Sequence, residues 1–102
     1  MKELLKEVEL TVKCELKRAN KVHPLFNSPH EAYAVIKEEA EEAELEMAHI
    51  KDSVRIFWKS VKYDDSAKNM CRFLHGIKDI AIDLAAEAIQ VAAMAQKAID
   101  SM

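Results

Sequence analysis

Hydrophobic residues recur every three or four positions in the middle of the chain, which is the spacing of one face of an α-helix. One step of seven interrupts this apolar stripe, and Glu39 stands in the gap, where an apolar residue is expected. Glu42 follows three residues later and points in nearly the same direction. The pattern therefore predicts a long helix with two carboxylates on its apolar side. The stripe consists of Ala32, Ile36, Ala43, Met47, Ile50, Val54, Phe57 and Val61.

A second apolar stripe, nearer the C-terminus, also carries a carboxylate. Glu87 and Gln90 are the only polar residues between Leu84 and Ala95, and Glu87 continues the apolar line. An unpaired charge between packed helices is costly, so such a residue usually has a partner or binds a metal. The rest of this line is Ile80, Leu84, Val91, Met94 and Ala98.

Helix start signals place the first boundaries. The pattern predicts a first helix from Lys2 to about Ala19, followed by the longest loop of the chain, residues 20–29. Ser28 is the predicted N-cap of the second helix and Pro29 its first residue. Glu31, at the third position, is expected to complete a capping box with Ser28.

The second helix meets no strong breaker before Tyr63, and the third is expected to begin near Ser66 with Asp65 or Ser66 as its cap. A hairpin turn centred between residues 64 and 65 would bring Glu42 level with Glu87. The same register sets Glu39 level with Gln90. Two carboxylates from one helix would then face a carboxylate and an amide from the other. Gly76 is a candidate kink in the third helix, because glycine weakens a helix by about 1 kcal/mol relative to alanine.

The expected helix lengths bear on assembly. About 34 residues at 1.5 Å per residue make a rod of roughly 50 Å, whereas a compact chain of this size has a radius of gyration of about 13 Å. Either the second helix breaks between Ser53 and Lys59, or a second copy covers the exposed apolar face. We expect some bending together with a homodimer or higher homo-oligomer. The predicted fold is an all-α bundle of three long helices, a single domain spanning residues 1–102, completed by dimerisation.

Composition supports this class and excludes others. One Gly and two Pro leave little material for the turns of a β-protein. A formal net charge of −3 argues against nucleic acid as a partner. No apolar run approaches the roughly 20 residues that span a bilayer, and the N-terminus lacks a secretory signal. Cys14 and Cys71 have no metal-binding or redox spacing, so we interpret them as reduced thiols of a cytoplasmic protein.

The residues alone leave two interpretations of each polar cluster. The acidic residues of the second helix form either a solvated face or, at Glu39 and Glu42, part of a metal site. Glu87 is either a metal ligand or a buried carboxylate bonded to Lys, Arg or a hydroxyl. Because a helix N-terminus attracts anions, His30 and Tyr33 form either a pocket for a base or phosphate or only local capping and packing.

Two short motifs resemble a known family. Glu38-Glu39-Ala40-Glu41-Glu42 matches the E-E-x-x-E motif of the MazG-like all-α nucleoside triphosphate pyrophosphohydrolases, and Glu87-Ala88-Ile89-Gln90 matches their E-x-x-D motif except at Gln90. The flanking sequence from Ser28 to Ala98 is similar to a small MazG-like branch of phage and Gram-positive bacterial proteins.

The resemblance implies cleavage of a nucleoside triphosphate into a monophosphate and pyrophosphate. It implies that Glu39, Glu42 and Glu87, with the Gln90 amide oxygen, bind Mg²⁺ or Mn²⁺. Glu38 would be a further ligand or orient the attacking water, while His30 and Tyr33 would contact the nucleotide.

This chain departs from the family in two respects. Gln90 removes one negative charge from the metal site, and 44 residues, more than is usual, separate Glu42 from Glu87. The alternative is a non-catalytic helical oligomer that acts as an interaction or nucleotide-sensing module.

Overall fold

A computed structural model describes residues 1–102 as three α-helices. They are α1 (Lys2–Val22), α2 (Pro29–Lys62) and α3 (Ala67–Ser101). α2 and α3 form an antiparallel hairpin, and α1 packs on α3 without a close backbone contact to α2. The predicted all-α class with three long helices is therefore confirmed. The molecule is elongated and measures 55 × 30 × 21 Å.

The start of α2 follows the predicted capping chemistry with one difference. Ser28 Oγ accepts a 3.1 Å hydrogen bond from the Glu31 backbone N–H, and Pro29 is the first helical residue. The Glu31 carboxylate does not return to Ser28; it accepts from the backbone N–H and the side-chain Nδ2 of Asn27, at 3.4 Å and 3.2 Å. The capping interaction therefore also fixes the end of the loop that precedes the helix.

The turn between α2 and α3 is held by Asp65. Its carboxylate accepts hydrogen bonds from Ser60 Oγ at 2.6 Å, from the Ser66 backbone N–H at 2.8 Å and from Asn69 Nδ2 at 3.0 Å. These bonds lower the pKa of Asp65, with the bond from Ser60 as the largest cause. Asp64 supplies the sharp bend with a φ of 50°. The turn between α2 and α3 lies where the sequence predicted it.

Two predicted helix features are corrected. α1 extends to Val22, beyond the predicted end at Ala19, because no breaker occurs before Pro24 and the His23 N–H closes the last turn on the Ala19 carbonyl at 3.2 Å. The break considered at residues 53–59 is absent, since α2 is continuous. α3 is helical through Gly76, and the kink considered there stays a prediction. The length is accommodated by an extended shape instead, with a radius of gyration of 17.6 Å.

The buried core is small and lies at one end of the molecule. It forms where the 23–28 loop and the start of α2 meet the last turns of α3. α1 adds partly buried side chains to it but has no buried residue of its own. The buried apolar residues are Phe26, Ala32, Ala93, Met94 and Ala98.

The opposite end of the hairpin, which we call the distal half, has no third helix against it. It comprises residues 45–62 of α2 and 67–82 of α3, and Ser60 is its only buried residue. Where α1 and α3 border a common depression, the α3 residues are Ala85, Ala88, Ile89 and Ala92, and the hydrogen bond between the two helices is at Gln90. Large apolar side chains in the distal half are therefore exposed: Leu45, Met47, Val54, Ile56, Trp58, Val61, Leu74 and Ile82.

No helix of the three combines the length and the apolar character needed to cross a membrane.

Candidate metal site

Three carboxylates from two helices meet in the middle of the hairpin. Glu39 and Glu42 lie nearly one turn apart on α2, and the turn at Asp65 brings Glu87 of α3 to the same level. One carboxylate oxygen from each lies within 4.8 Å of the others. Glu39 and Glu87 are half-buried and Glu42 is exposed. We call these three residues the Glu triad.

The triad carboxylates disfavour one another's ionised form. The pKa of Glu39 is raised, first by desolvation and then by the negative charge of Glu42, while its hydrogen bond with Glu87 acts in the opposite direction. The pKa of Glu42 is raised first by its hydrogen bond with Glu87 and then by the charge of Glu87. Such shifts are expected where like charges share a site. A proton or a cation bound between the carboxylates would relieve the repulsion.

No basic side chain neutralises the triad. The three ion pairs of the molecule, Arg18–Glu15, Lys37–Glu41 and Arg55–Asp52, each lie within one helix and outside it. Glu87 also accepts no hydrogen bond from a hydroxyl, so none of the partners considered for a buried Glu87 is present. The site consists of carboxylate oxygens, and hard divalent cations such as Mg²⁺ and Mn²⁺ prefer oxygen ligands. The triad can therefore hold a metal ion.

Gln90 makes its hydrogen bond with α1 rather than with the triad. Its Nε2 donates to Glu15 Oε1 at 2.7 Å, and Glu15 also accepts from Arg18 at 2.9 Å. The sequence interpretation did not include Glu15, although a signal was present. Glu15 lies three residues after Val12 and four before Ala19, on the face of α1 that packs on α3. Metal binding through the Gln90 amide oxygen remains a prediction.

The other predicted site residues are Glu38, His30 and Tyr33. Glu38 is exposed on α2, and its negative charge contributes to the raised pKa values of Glu39 and Glu42. His30 and Tyr33 are exposed and line, with Pro29, a shallow depression of about 230 Å³ that no triad residue borders. The structure thus does not join these two residues to the triad, and their contact with a nucleotide stays a prediction.

A larger concavity lies next to the core. It is on the side of the triad where α2 begins and α3 ends. It is an open cavity of about 570 Å³ between the 23–27 loop, the first turns of α2 and the end of α3. Val35, on its wall, precedes Glu39 by about one helical turn. Its lining residues are His23, Pro24, Leu25, Phe26, Asn27, Glu31, Val35, Met94 and Lys97.

Lys97 is the second residue that the sequence interpretation missed. It is one of two buried polar residues, with 6 % of its surface exposed. The signal was its position, three residues after Met94 and four after Ala93, which places a lysine on the apolar face of α3.

The chain was compared with protein-family models, with curated proteins and with solved structures, and none of the three comparisons gave a match.

Proposed function

We propose that this chain is a metal-dependent nucleoside triphosphate pyrophosphohydrolase. The observation that carries the proposal is the convergence of Glu39, Glu42 and Glu87 without a basic counter-ion. Further support comes from the sequence, because the three residues are those at which the chain resembles the two acidic motifs of the MazG-like enzymes. The proposal extends to a single domain of residues 1–102 acting in the cytoplasm.

The proposed roles follow from the positions of the side chains. Glu39, Glu42 and Glu87 hold Mg²⁺, or Mn²⁺ in its place. When bound, the ion offsets phosphate charge and promotes ionisation of a coordinated water. Glu38 is exposed beside the triad and orients the water and accepts its proton. Water oxygen then bonds to the α-phosphorus, the bond to the β-phosphate oxygen breaks, and a nucleoside monophosphate and pyrophosphate leave.

Gln90 weakens this site relative to the acidic residue of the motif. An amide contributes no negative charge, and its nitrogen is already bonded to Glu15. The missing charge reduces its contribution to holding a cation, and the bond to Glu15 fixes the amide towards α1. They also favour the second candidate function, in which the chain keeps the helical fold and senses a nucleotide or binds a protein partner without turnover.

The partner proposed for the distal half of the hairpin is a second copy of this chain. The accessible surface is 7755 Å², whereas a compact chain of this mass exposes roughly 5,800 Å². The excess, roughly 1,900 Å², is more than the ~800 Å² that each partner buries in a standard interface. The exposed apolar residues of the distal half supply the surface that such a homodimer would cover.

The test of activity is a screen of the purified protein against all common ribo- and deoxyribonucleoside triphosphates with Mg²⁺ or Mn²⁺. Pyrophosphate release is measured for wild type, Glu87→Gln and Glu44→Gln. Glu44 is exposed on α2 and lies outside the triad, so its variant is the matched control. We expect release by wild type and Glu44→Gln, and a loss of at least ~100-fold in Glu87→Gln, since the ion that stabilises the transition state is lost. If wild type releases pyrophosphate from no nucleotide, the enzyme proposal is wrong and the non-catalytic function remains.

A further inference from the structure

The cavity beside the core contains a lysine that forms no ion pair, although Glu31 also lines the cavity. Lys97 is nine-tenths buried, yet it forms none of the ion pairs of the molecule. Its Nζ lies 4.7 Å from the centroid of the Phe26 ring, a cation–π contact, and donates no hydrogen bond to a protein atom. A buried ammonium that lacks an anionic partner is costly, so the position calls for an explanation beyond packing.

The Lys97 ammonium is not fully enclosed by protein atoms. Asn20 Oδ1 is the only side-chain polar atom that is both fully enclosed and without a hydrogen-bond partner. The Lys97 nitrogen, which has no such partner either, therefore keeps an accessible face, and Lys97 is part of the cavity wall. An anion in the cavity can reach this face.

Two hydrogen bonds hold the wall around Lys97 in place. The Phe26 backbone N–H donates to Ser101 Oγ at 2.9 Å, and Ser101 Oγ donates to the Lys97 carbonyl at 2.7 Å. The loop is thereby attached to the end of α3 with the Phe26 ring against the ammonium. This part of the cavity wall is in place before any ligand arrives, which reduces the entropy lost on binding.

The other residues that line the cavity indicate which chemical groups a ligand would carry besides its phosphate. Leu25, Val35 and Met94 offer apolar walls, while His23 and the bonded pair Asn27 and Glu31 are the polar groups. A volume of about 570 Å³ falls within the ~300–1,000 Å³ typical of small-molecule pockets. We propose that this cavity binds a small phosphate monoester or phosphoanhydride, with its phosphate on Lys97 and its organic part against the apolar wall.

The position of the cavity connects this site with the triad. Lys97 follows Gln90 by seven residues, roughly 10 Å along the helix axis. Its side chain is tilted back towards the N-terminus of α3, in the direction of the triad. Phosphate binding at Lys97 does not require the triad. Only the identification of the ligand as the nucleotide being hydrolysed rests on the proposed function.

The experiment is a titration without divalent metal. Wild type, Lys97→Met and Lys78→Met are titrated in EDTA with inorganic phosphate, phenyl phosphate and the common nucleoside monophosphates, and binding is followed by amide chemical shifts. Lys78 is exposed on the same helix and is the matched control. In wild type and Lys78→Met we expect saturable shifts of cavity residues. Phenyl phosphate or a nucleotide should bind at least ~5-fold more tightly than inorganic phosphate, because the apolar wall adds contacts. Lys97→Met should raise every Kd at least ~10-fold.

A purely structural role for Lys97 predicts different results from a phosphate-binding role. Under the proposal, Lys97→Met removes an unmatched buried charge and raises the melting temperature while binding is lost. Equal Kd values in wild type and Lys97→Met, shifts confined to exposed lysines, or no saturable binding by wild type would each overturn the proposal. If Lys97→Met does not fold, Lys97→Gln and Lys97→Arg replace it. Weak binding by the first with retained binding by the second supports the proposal, and equal binding by both overturns it.

The EDTA titration separates this inference from the proposed function. A wild-type protein that binds phosphate monoesters in EDTA but hydrolyses no nucleotide retains the Lys97 site and contradicts the enzyme. A protein that releases pyrophosphate, yet binds no phosphate compound through Lys97, contradicts the Lys97 site alone.

Discussion

Gln90 of α3 donates a 2.7 Å hydrogen bond to Glu15 of α1. This bond joins the first helix to the hairpin at the level of the Glu triad, where the related motif has an acidic residue. One amide thus contributes to helix packing and also sets the charge available for a metal ion.

Gln90→Asp is expected to destabilise the metal-free protein and to tighten Mg²⁺ binding. The substitution breaks the bond to Glu15 and introduces a carboxylate near it, which should lower the free energy of unfolding by about 1–2 kcal/mol. The added negative charge should favour a cation at the triad and raise any pyrophosphohydrolase rate. Urea unfolding and Mg²⁺ titration check the two effects.

A double-mutant cycle tests whether Glu15 is the cause of that destabilisation. Combining Gln90→Asp with Glu15→Gln restores an amide–carboxylate pair with the roles reversed, so part of the lost stability should return. Gln96→Asp is the control, because it breaks the exposed hydrogen bond from Gln96 to Asp100 and so measures the cost of the same change away from Glu15 and the triad. If the two changes are additive and Mg²⁺ affinity is unchanged, Gln90 acts on neither Glu15 nor the triad.

Mn²⁺ or Mg²⁺ is expected to raise the melting temperature of the wild-type protein. Glu39, Glu42 and Glu87 repel one another in the metal-free state, and an ion that binds only the folded chain stabilises it by mass action. Glu87→Gln should melt higher than wild type in EDTA and show no further rise with metal. Glu44→Gln should behave as wild type. An identical response of Glu87→Gln and wild type to millimolar Mn²⁺ would mean that the triad holds no ion.

Asp65 is expected to make stability depend on acidic pH. Its pKa is lowered by its hydrogen bonds, that from Ser60 first, so the folded state binds the proton less tightly than the unfolded state. The stabilisation is present above the unfolded pKa of about 3.9 and is lost as pH falls through the lower folded value. Asp65→Asn should lower the urea midpoint at pH 7. Below pH 4 the urea midpoint of this variant should decrease less with falling pH than that of wild type.

Asp64→Asn is the matched control for that measurement. Asp64 lies in the same turn but its side chain makes no hydrogen bond, and asparagine tolerates its positive φ of 50°. Its pH profile should follow that of wild type. A steep acid transition that persists in Asp65→Asn would assign the pH dependence to other carboxylates.

Self-association through the distal half predicts a dimer at micromolar concentration. Sedimentation should give twice the 11.6 kDa chain mass for wild type, and Trp58→Glu or Leu74→Glu should shift the equilibrium to monomer by at least ~100-fold, because each buries a charge in an apolar interface. Leu4→Glu, an exposed change on α1, is the control. Trp58 is the only tryptophan, so its emission should shift to the blue as the dimer forms. A folded, monomeric wild type would exclude this surface as the interface.

The sequence alone determined the helices, the turn and the triad. Periodicity identifies a helix because each residue adds about 100° around one axis, and local capping groups such as Ser28 and Ser66 mark where a helix begins. Once the turn was placed at Asp64 and Asp65, the register of two antiparallel helices followed, since both rise by the same amount per residue. The convergence of Glu39, Glu42 and Glu87 was therefore predictable without coordinates.

Only the tertiary structure decided where α1 lies. An amphipathic stripe indicates that a helix packs against something, but it does not indicate which neighbour. The spacing of residues therefore predicted neither the contact of α1 with α3 nor the bond from Gln90 to Glu15. The same holds for the cavity at Lys97, which exists because the 23–27 loop folds back on the end of α3. Its lining residues form two groups, 23–35 and 94–97, at least 59 positions apart, and their proximity depends on packing over the whole chain.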